Sequence, residues 1–404
     1  MHRELSGSLA VLETAAAAAS RAPSAPSVGV VFGLDGLNAL EAEWRTLFET
    51  SRNDNYFVSF DWCKSWLDAF GTKAGARPIV FCVRRQDRLV AILPLVNRRF
   101  GPMSTAHCVG AVSGQYGDLL IERDRGTWEE IFPVLWDGIV ASGIDLIQFA
   151  NVRDDSPLAA FIGTRRSIQS DPLLCCALDT SRFESFATYI ETRSSSLKKN
   201  LRKRRRKLES VAPLVYEVVR DPMAIDEVTN TIIRHKLDWL DDRGTHGRFL
   251  SRVGVAAWLA DVARRALATG NLHLSLLRLG DRIISAQLAF ISGNRFTAYL
   301  SSFDIAYGAY GVGRMQYASF MEDVFDRKLQ IDLMPRHDEF KLEWVEHGAA
   351  TRGYAVPVTR RGSALSLVQN PRTRAVARNV VNFLYTHLVS PSRSSRQEEV
   401  APKD

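Results

Sequence analysis

The chain has 404 residues, 46% hydrophobic and 24% charged, which are the proportions of ordinary globular proteins and exclude wholesale disorder; no run approaches 18 apolar residues, so no membrane-spanning helix is expected. That length calls for two domains rather than one core. The formal net charge is +7, but nine cations and no acid fall between Arg193 and Lys207, and removing those nine leaves −2 for the rest, so the basicity is one local device.

In chain order, residues 1–27 are rich in Ala, Ser and Pro; Glu13 interrupts their only apolar stretch, which reads as a disordered tail rather than a signal peptide. Val28 to Phe32 reads as a strand, followed by a helix with Leu37, Leu40, Trp44 and Leu47 at steps of three and four. Asp61 to Phe70, with Trp62, Trp66 and Phe70 four apart, reads as a second helix. Two β runs follow, Ile79 to Val83 and Leu89 to Val96, separated by the polar turn Arg84 to Arg88. Further strands are predicted at Leu119 to Ile121, Asp145 to Phe149 and Leu174 to Leu178, with a helix from Trp128 to Ala141. The cysteines, Cys63, Cys82, Cys108, Cys175 and Cys176, are odd in number and form no C-x-x-C pair, so neither a disulfide framework nor a zinc site is predicted and a reducing cytoplasm fits.

Next comes the basic run. Leu197, Leu201 and Leu208 give a narrow apolar seam on a helix that Ser194 to Ser196 can cap. Two readings stay open: a solvated linker joining two halves, or a phosphate-binding surface for a polyanion such as an acidic glycan or a membrane surface. The second half then repeats the order of the first. Helical patterns at Ala224 to Asp241 and Val255 to Ala268 precede strands Leu272 to Leu279 and Ile283 to Ile291, with Gly280-Asp281 as the hairpin turn. A third strand, Phe296 to Ser301, follows Gly293-Asn294; beyond it lie a helix from about Arg314 to Arg327 and strands at Ile331 to Met334 and Tyr354 to Val358. The two hairpins overlay at an offset of 194, with Arg84 on Arg278, Asp87 on Asp281 and Arg88 on Arg282, which suggests an internal duplication.

The chemistry is expected in Ser302 to Gly313, SFDIAYGAYGVG, between a strand and a helix. Glycines let backbone N–H groups approach a ligand and the helix start adds partial positive charge, which makes a pyrophosphate site. Ser301, Ala309, Tyr310, Gly311, Val312, Gly313 and Arg314 are therefore the candidate cofactor-binding residues. Polar groups near the strand ends are Tyr299, Ser301, Asp304, Asp332, His337, Asp338, Glu339 and Lys341. The consecutive His337-Asp338-Glu339 lacks H-E-x-x-H spacing, so no metal is expected.

Leu272 to Trp344 resembles the acetyltransferase domain of the CelD/BcsL-like group of the GNAT superfamily, found in cellulose-biosynthesis-associated proteins and related to the Fem-type peptidyltransferases. The motifs are Gly311-Val312-Gly313 where the group has S-P-G, Asp332-Leu333 for its D-F pair, and Phe340-Lys341-Leu342-Glu343-Trp344 for Y-K-x-x-W; Trp62 and Trp66, Ala91 to Leu95 and Tyr116-Gly117-Asp118 extend the likeness. The resemblance implies an α/β (α+β) fold of two tandem GNAT-like acyl-CoA N-acyltransferase domains, with mixed, mostly antiparallel sheets flanked by helices. The expected boundaries are a first domain over 28–180, a basic linker helix over 181–212, an acyltransferase domain over 213–362, and a C-terminal helix and disordered tail over 363–404. It implies an acetyl-CoA or other acyl-CoA co-substrate without metal, an amine or hydroxyl acceptor, and a cytoplasmic place in polysaccharide or cell-envelope synthesis. Asp332, Lys341 and Tyr299 are the expected catalytic residues, with Asp332 taking the acceptor's proton and Lys341 paired to it or touching the donor phosphates. The rivals are an aminoacyl-tRNA-dependent peptidyltransferase of the Fem type and a non-catalytic scaffold.

Overall fold

The computed structural model describes residues 25–71, 77–113, 116–245, 247, 249–335 and 339–369. The predicted N-terminal tail and most of the C-terminal tail lie outside them. Fourteen strands among these residues join in one sheet. The first half runs β1 (Ser27–Phe32), α1 (Gly33–Ala39), α2 (Glu41–Ser51), α3 (Phe60–Trp66), β2 (Arg77–Arg85), β3 (Arg88–Phe100), β4 (Met103–Cys108), β5 (Leu120–Ile121), α4 (Trp128–Ala141), β6 (Leu146–Arg153), α5 (Pro157–Gly163), β7 (Ile168–Gln169) and β8 (Leu173–Asp179). After α6 (Phe186–Glu191) and the basic α7 (Ser195–Glu209) come β9 (Leu214–Val218), α8 (Ile225–Asp242), α9 (Val255–Ala268), β10 (Leu272–Leu279), β11 (Arg282–Ser292), β12 (Arg295–Phe303), α10 (Val312–Phe325), β13 (Gln330–Pro335), α11 (Glu339–Leu342), β14 (Glu346–Pro357) and α12 (Arg360–Gln369). The single helix expected around Leu37 to Leu47 is two helices, and the one expected from Asp61 to Phe70 stops at Trp66 and continues as one π turn, Leu67–Gly71.

Alternation along the strands assigns each side chain to a face, and both faces are covered. On β2, Val80 and Cys82 enter the core beneath α1, α2, α3, α8 and α9, while Ile79, Phe81 and Val83 enter the core beneath α4 and α5. On β10, Leu274 and Leu276 face the first side and Leu277 and Leu279 the other, where α7 and α10 pack. Ser59, Ser156 and Ser194 cap α3, α5 and α7 through side-chain oxygens, satisfying N–H groups that each helix start would otherwise leave open.

The tandem architecture is visible bond by bond. The β2–β3 ladder slips between Val83 and Arg84, and the β10–β11 ladder slips between Leu277 and Arg278, 194 residues on. Arg84 donates to the Asp87 carbonyl at 3.1 Å, and Arg278 donates to the Asp281 carbonyl at 3.2 Å. Each half also has one parallel pair, β4 with β6 and β12 with β13, crossed over by α4 and α10 respectively. The last strands are exchanged: β8 of the first half pairs with β13, and β14 of the second pairs with β6. This exchange makes one continuous sheet of the two repeats.

Candidate active site

In the second half, β12 and β13 pair only from Arg295 to Thr297 against Gln330 to Asp332, and then part. The β11–β12 ladder skips Tyr299, since Leu288 faces Leu300 and Ala289 faces Ala298. A bulge of this kind re-aims one side chain at the point of divergence. Beyond Phe303 the chain makes a tight turn: the Asp304 carboxylate accepts from Ala306 N at 3.0 Å and pairs with Arg282 at 2.6 Å, a 3₁₀ turn spans Ile305–Tyr310, and Gly311 at φ 64° starts α10. No side chain caps α10; Arg314 N turns back to the Gly311 carbonyl at 3.0 Å, and the Val312 and Gly313 N–H groups, with the positive end of the helix dipole behind them, suit an anion.

The basic helix completes this site. Leu197 and Leu208 are buried and Leu201 partly so, which turns one face of α7 onto the cores beside α10. Arg204 shares that face and lies against Gly311, where a Cβ would run into its guanidinium. Lys207 Nζ stands 4.8 Å from the ring centroid of Tyr310. Two cations thus flank the uncapped helix start. The steps Leu201, Arg204 and Leu208, three and four residues apart, carried the signal that places Arg204; among nine cations in the run it did not stand out.

Other expected residues sit differently. Arg314 makes a bidentate pair with Glu343 at 2.6 and 2.7 Å, and its hydrogen bond to that carboxylate raises its pKa further, so this cation is neutralised by its own protein rather than offered to a donor. Ser301 is partly exposed on β12 and its carbonyl lies 3.5 Å from Lys236 Nζ; Ala309 and Tyr310 belong to the 3₁₀ turn. Gly313 meets only Phe303 at an ordinary distance, so its position demands no glycine, whereas Gly311 does. His337 and Asp338 lie outside the described residues, among which no three potential metal ligands cluster.

Asp332 is fully buried. Its Oδ1 accepts from the Tyr116 hydroxyl at 2.9 Å and Met334 N at 2.7 Å, and its Oδ2 accepts from Arg153 Nη1 at 2.6 Å. The expected pairing with Lys341 is therefore corrected: the ion-pair partner of Asp332 is Arg153, from the other half, and Lys341 Nζ donates to the carbonyls of Leu333 at 2.7 Å and Met334 at 3.4 Å. Met334 stands at φ 63°, which turns those carbonyls out of the ladder. As a proton acceptor Asp332 would first have to shed three donors. Tyr299 donates its hydroxyl to the Ser113 carbonyl at 2.9 Å, and burial pushes its phenol pKa upward, so it keeps its proton at neutral pH. The contacts of Tyr116 and Arg153 with Asp332 escaped sequence reasoning, although Tyr116 stood out as part of a motif, because they form only through the strand exchange.

The first half has the same divergence after β4 and β6 but closes it with its own chain. Gly117 N donates to Ala150 O of β6 at 3.1 Å, a Cβ there would lie 2.9 Å from that oxygen, and Leu120 and Ile121 pair with β3. Tyr116 fills the apex.

Comparisons with known proteins bear on the fold and on the type of the second half. Residues 195–342 match the family model described as acetyltransferase (GNAT) domain, and the match begins with α7. Among solved structures the chain is similar to FemX, with a TM-score of 0.54 at 8% identity over 78% of this chain and 96% of that one. It is similar to the C-terminal domain of a putative lysylphosphatidylglycerol synthetase from Agrobacterium fabrum, with a TM-score of 0.51 at 13% identity over 86% and 97%. It is likewise similar to L-PGS from Bacillus licheniformis, with a TM-score of 0.51 at 11% identity over 83% and 96%. A search of curated proteins finds no match. At such identities the structural likeness establishes the fold, and the family match marks residues 195–342 as similar to a GNAT acetyltransferase domain. The CelD/BcsL-like subtype is not among these findings.

Proposed function

We propose that the second half transfers an acyl group, acetyl in the simplest case, from acyl-CoA to an amine or hydroxyl acceptor. The observation that carries this reading is the convergence of the uncapped start of α10, Gly311, Arg204 and Lys207 on one spot. Backbone N–H groups and an arginine fork suit a pyrophosphate. The thioester arm would then lie in the divergence of β12 and β13, near the Tyr299 bulge. A neutral acceptor attacks the thioester carbonyl there, the C–S bond breaks, and the acceptor's proton leaves with the thiolate or through water. Tyr299, protonated, serves as a hydrogen-bond donor beside this path once it releases Ser113. Asp332 and Lys341 hold β13 in its bent course, so their contribution is positional. The first half, its divergence filled by Tyr116 and Gly117, holds no donor in this reading. Polysaccharide or cell-envelope synthesis in the cytoplasm remains the proposed setting; the described residues include no helix long and apolar enough to cross a membrane.

Calorimetric titration of the full chain with acetyl-CoA tests this directly. Saturable binding that drops about tenfold or more in an Arg204→Gln, Lys207→Gln variant is expected; unchanged affinity refutes the assignment.

A second reading has its own observation. Ser195, Lys198, Lys199, Arg202, Lys203 and Arg206 line a shallow groove of about 600 Å³ along the outer side of α7, a surface suited to a polyanion. With the resemblance to the Fem type, it supports an aminoacyl-tRNA donor instead. Binding of charged tRNA without affinity for acetyl-CoA would establish that alternative, and binding of neither would leave the scaffold.

A further inference from the structure

A cleft of about 1070 Å³ opens between α2, the segment that follows β5, the start of α5 and the β11–β12 turn of the second half. Its walls carry six arginines and five carboxylates, a nearly even balance that conceals how the charges are shared. Asp61 is held by Arg45 in two hydrogen bonds of 2.8 and 2.6 Å, and Asp155 by Arg153 in two of 2.9 Å. Asp54 accepts from Asn294 N at 2.7 Å with Arg295 Nη2 at 3.9 Å, and buried Asp118 accepts from Leu119 N and Leu158 N. Four of the five acids are thus committed inside the protein. Arg52, Arg123 and Arg125, all exposed on the rim, have no acidic partner among the described residues; Asp124 between the last two turns its carboxylate to Gly126 N at 3.0 Å and does not line the cleft. Arg125 lies 5.4 Å from the Trp128 ring centroid, and both residues line the cleft.

We infer that this cleft is a second ligand site, separate from the donor site, for a small organic molecule bearing a phosphate group. Three guanidinium forks without acidic partners line one cleft and match phosphate oxygens in charge and geometry. The volume is that of a drug-sized or cofactor-sized ligand rather than a free ion, and the Trp128 ring offers a contact to its body. Through Arg153, which lines the cleft and donates to Asp332, an occupant touches the residue that anchors β13 beside the donor groove.

The test is titration of the full chain with adenosine monophosphate, glucose 6-phosphate and inorganic phosphate, for wild type and for Arg52→Gln, Arg123→Gln, Arg125→Gln combined. Saturable binding of either organic phosphate, tighter than inorganic phosphate and weakened at least tenfold in the triple variant, is the expected result, and which of the two binds distinguishes a nucleotide from a sugar phosphate. Binding of inorganic phosphate alone, no binding of any probe, or equal binding by the triple variant overturns the inference. All three arginines are exposed, and acetyl-CoA affinity measured on the same variant should stay at the wild-type value; its loss together with a lowered melting temperature would show misfolding, in which case Arg123→Gln alone, expected to weaken the organic phosphate about threefold or more, decides.

Discussion

Arg153 and Asp332 stand 179 residues apart in the chain and meet in a 2.6 Å charge-assisted hydrogen bond inside the seam between the two halves. Neither charge can be left there alone. Arg153→Met strands the Asp332 carboxylate without solvent, and a loss of about 3–5 kcal/mol is expected in denaturant melts. Asp332→Asn keeps the size and two of the three hydrogen bonds, and should melt early while turning over normally at low temperature. An Asp332→Asn protein with wild-type stability and a kcat lowered about a hundredfold would instead make Asp332 the general base.

The turn at Gly311 combines two constraints, a positive φ and the Arg204 guanidinium where a Cβ would go. Gly311→Ala should cost about 1 kcal/mol of stability through the backbone alone and displace Arg204, so donor affinity should fall by more than stability does. Gly313→Ala, in open contact with Phe303, is the control and should leave both nearly unchanged. Calorimetry and melting on the same two variants check the contrast.

Much of this was legible from the residues. The α4 and α9 helices, the Leu272 to Leu279 strand and the paired Arg84/Asp87 and Arg278/Asp281 turns follow from spacing, because amphipathic periods and turn chemistry are local properties. β4, β7 and β9 carry no readable signal: the buried positions of β4 are Ser104, Ala106 and Cys108, too weakly apolar to mark its alternation, β7 has two residues, and β9 has no fully buried residue. The pairing of Asp332 could not be read either. Its partners come from β6 and the loop before β5, and only the exchange of β8 and β14 brings them together, a long-range event with no local signature. Arg204 shows the intermediate case, since its phase on α7 was readable but its neighbour Gly311 was not.

Burial pushes the Asp118 carboxyl pKa up to about 6, although Leu119 N, Leu158 N and Asn55 oppose the shift. The folded state therefore holds this proton more tightly than the unfolded chain does. The stability it contributes is fully present below the ordinary carboxylate pKa and is lost as pH rises through about 6. Burial of His107 acts oppositely: its pKa falls to about 4, so its contribution is complete above the ordinary histidine pKa and is lost as pH drops through about 4. Comparing Asp118→Asn with wild type cancels His107 and every other group. The difference in unfolding free energy should move by roughly 2 kcal/mol in favour of the variant between pH 4 and pH 7, on the basis of about 1.4 kcal/mol per pKa unit. A difference that is flat with pH would show that Asp118 is solvated in the native state.

The two faces of α7 should separate into two functions. Arg204 and Lys207 point to Gly311 and Tyr310, whereas Lys199, Arg202, Lys203 and Arg206 line the outer groove. Replacing the four outer cations with Gln removes no buried contact, because Leu197 and Leu208 make the packing, so the melting temperature should hold. If a polyanion binds there, heparin retention should drop and the slope of log affinity against log salt should shrink by up to about 3, since each phosphate contact contributes roughly 0.7 to 0.9. Acetyl-CoA affinity should remain. The reciprocal Arg204→Gln, Lys207→Gln variant should lose acetyl-CoA and keep most heparin retention. An outer variant that retains heparin as wild type does would reduce α7 to one functional face, with Leu197, Leu201 and Leu208 seating it against the sheet and Arg204 serving the donor alone.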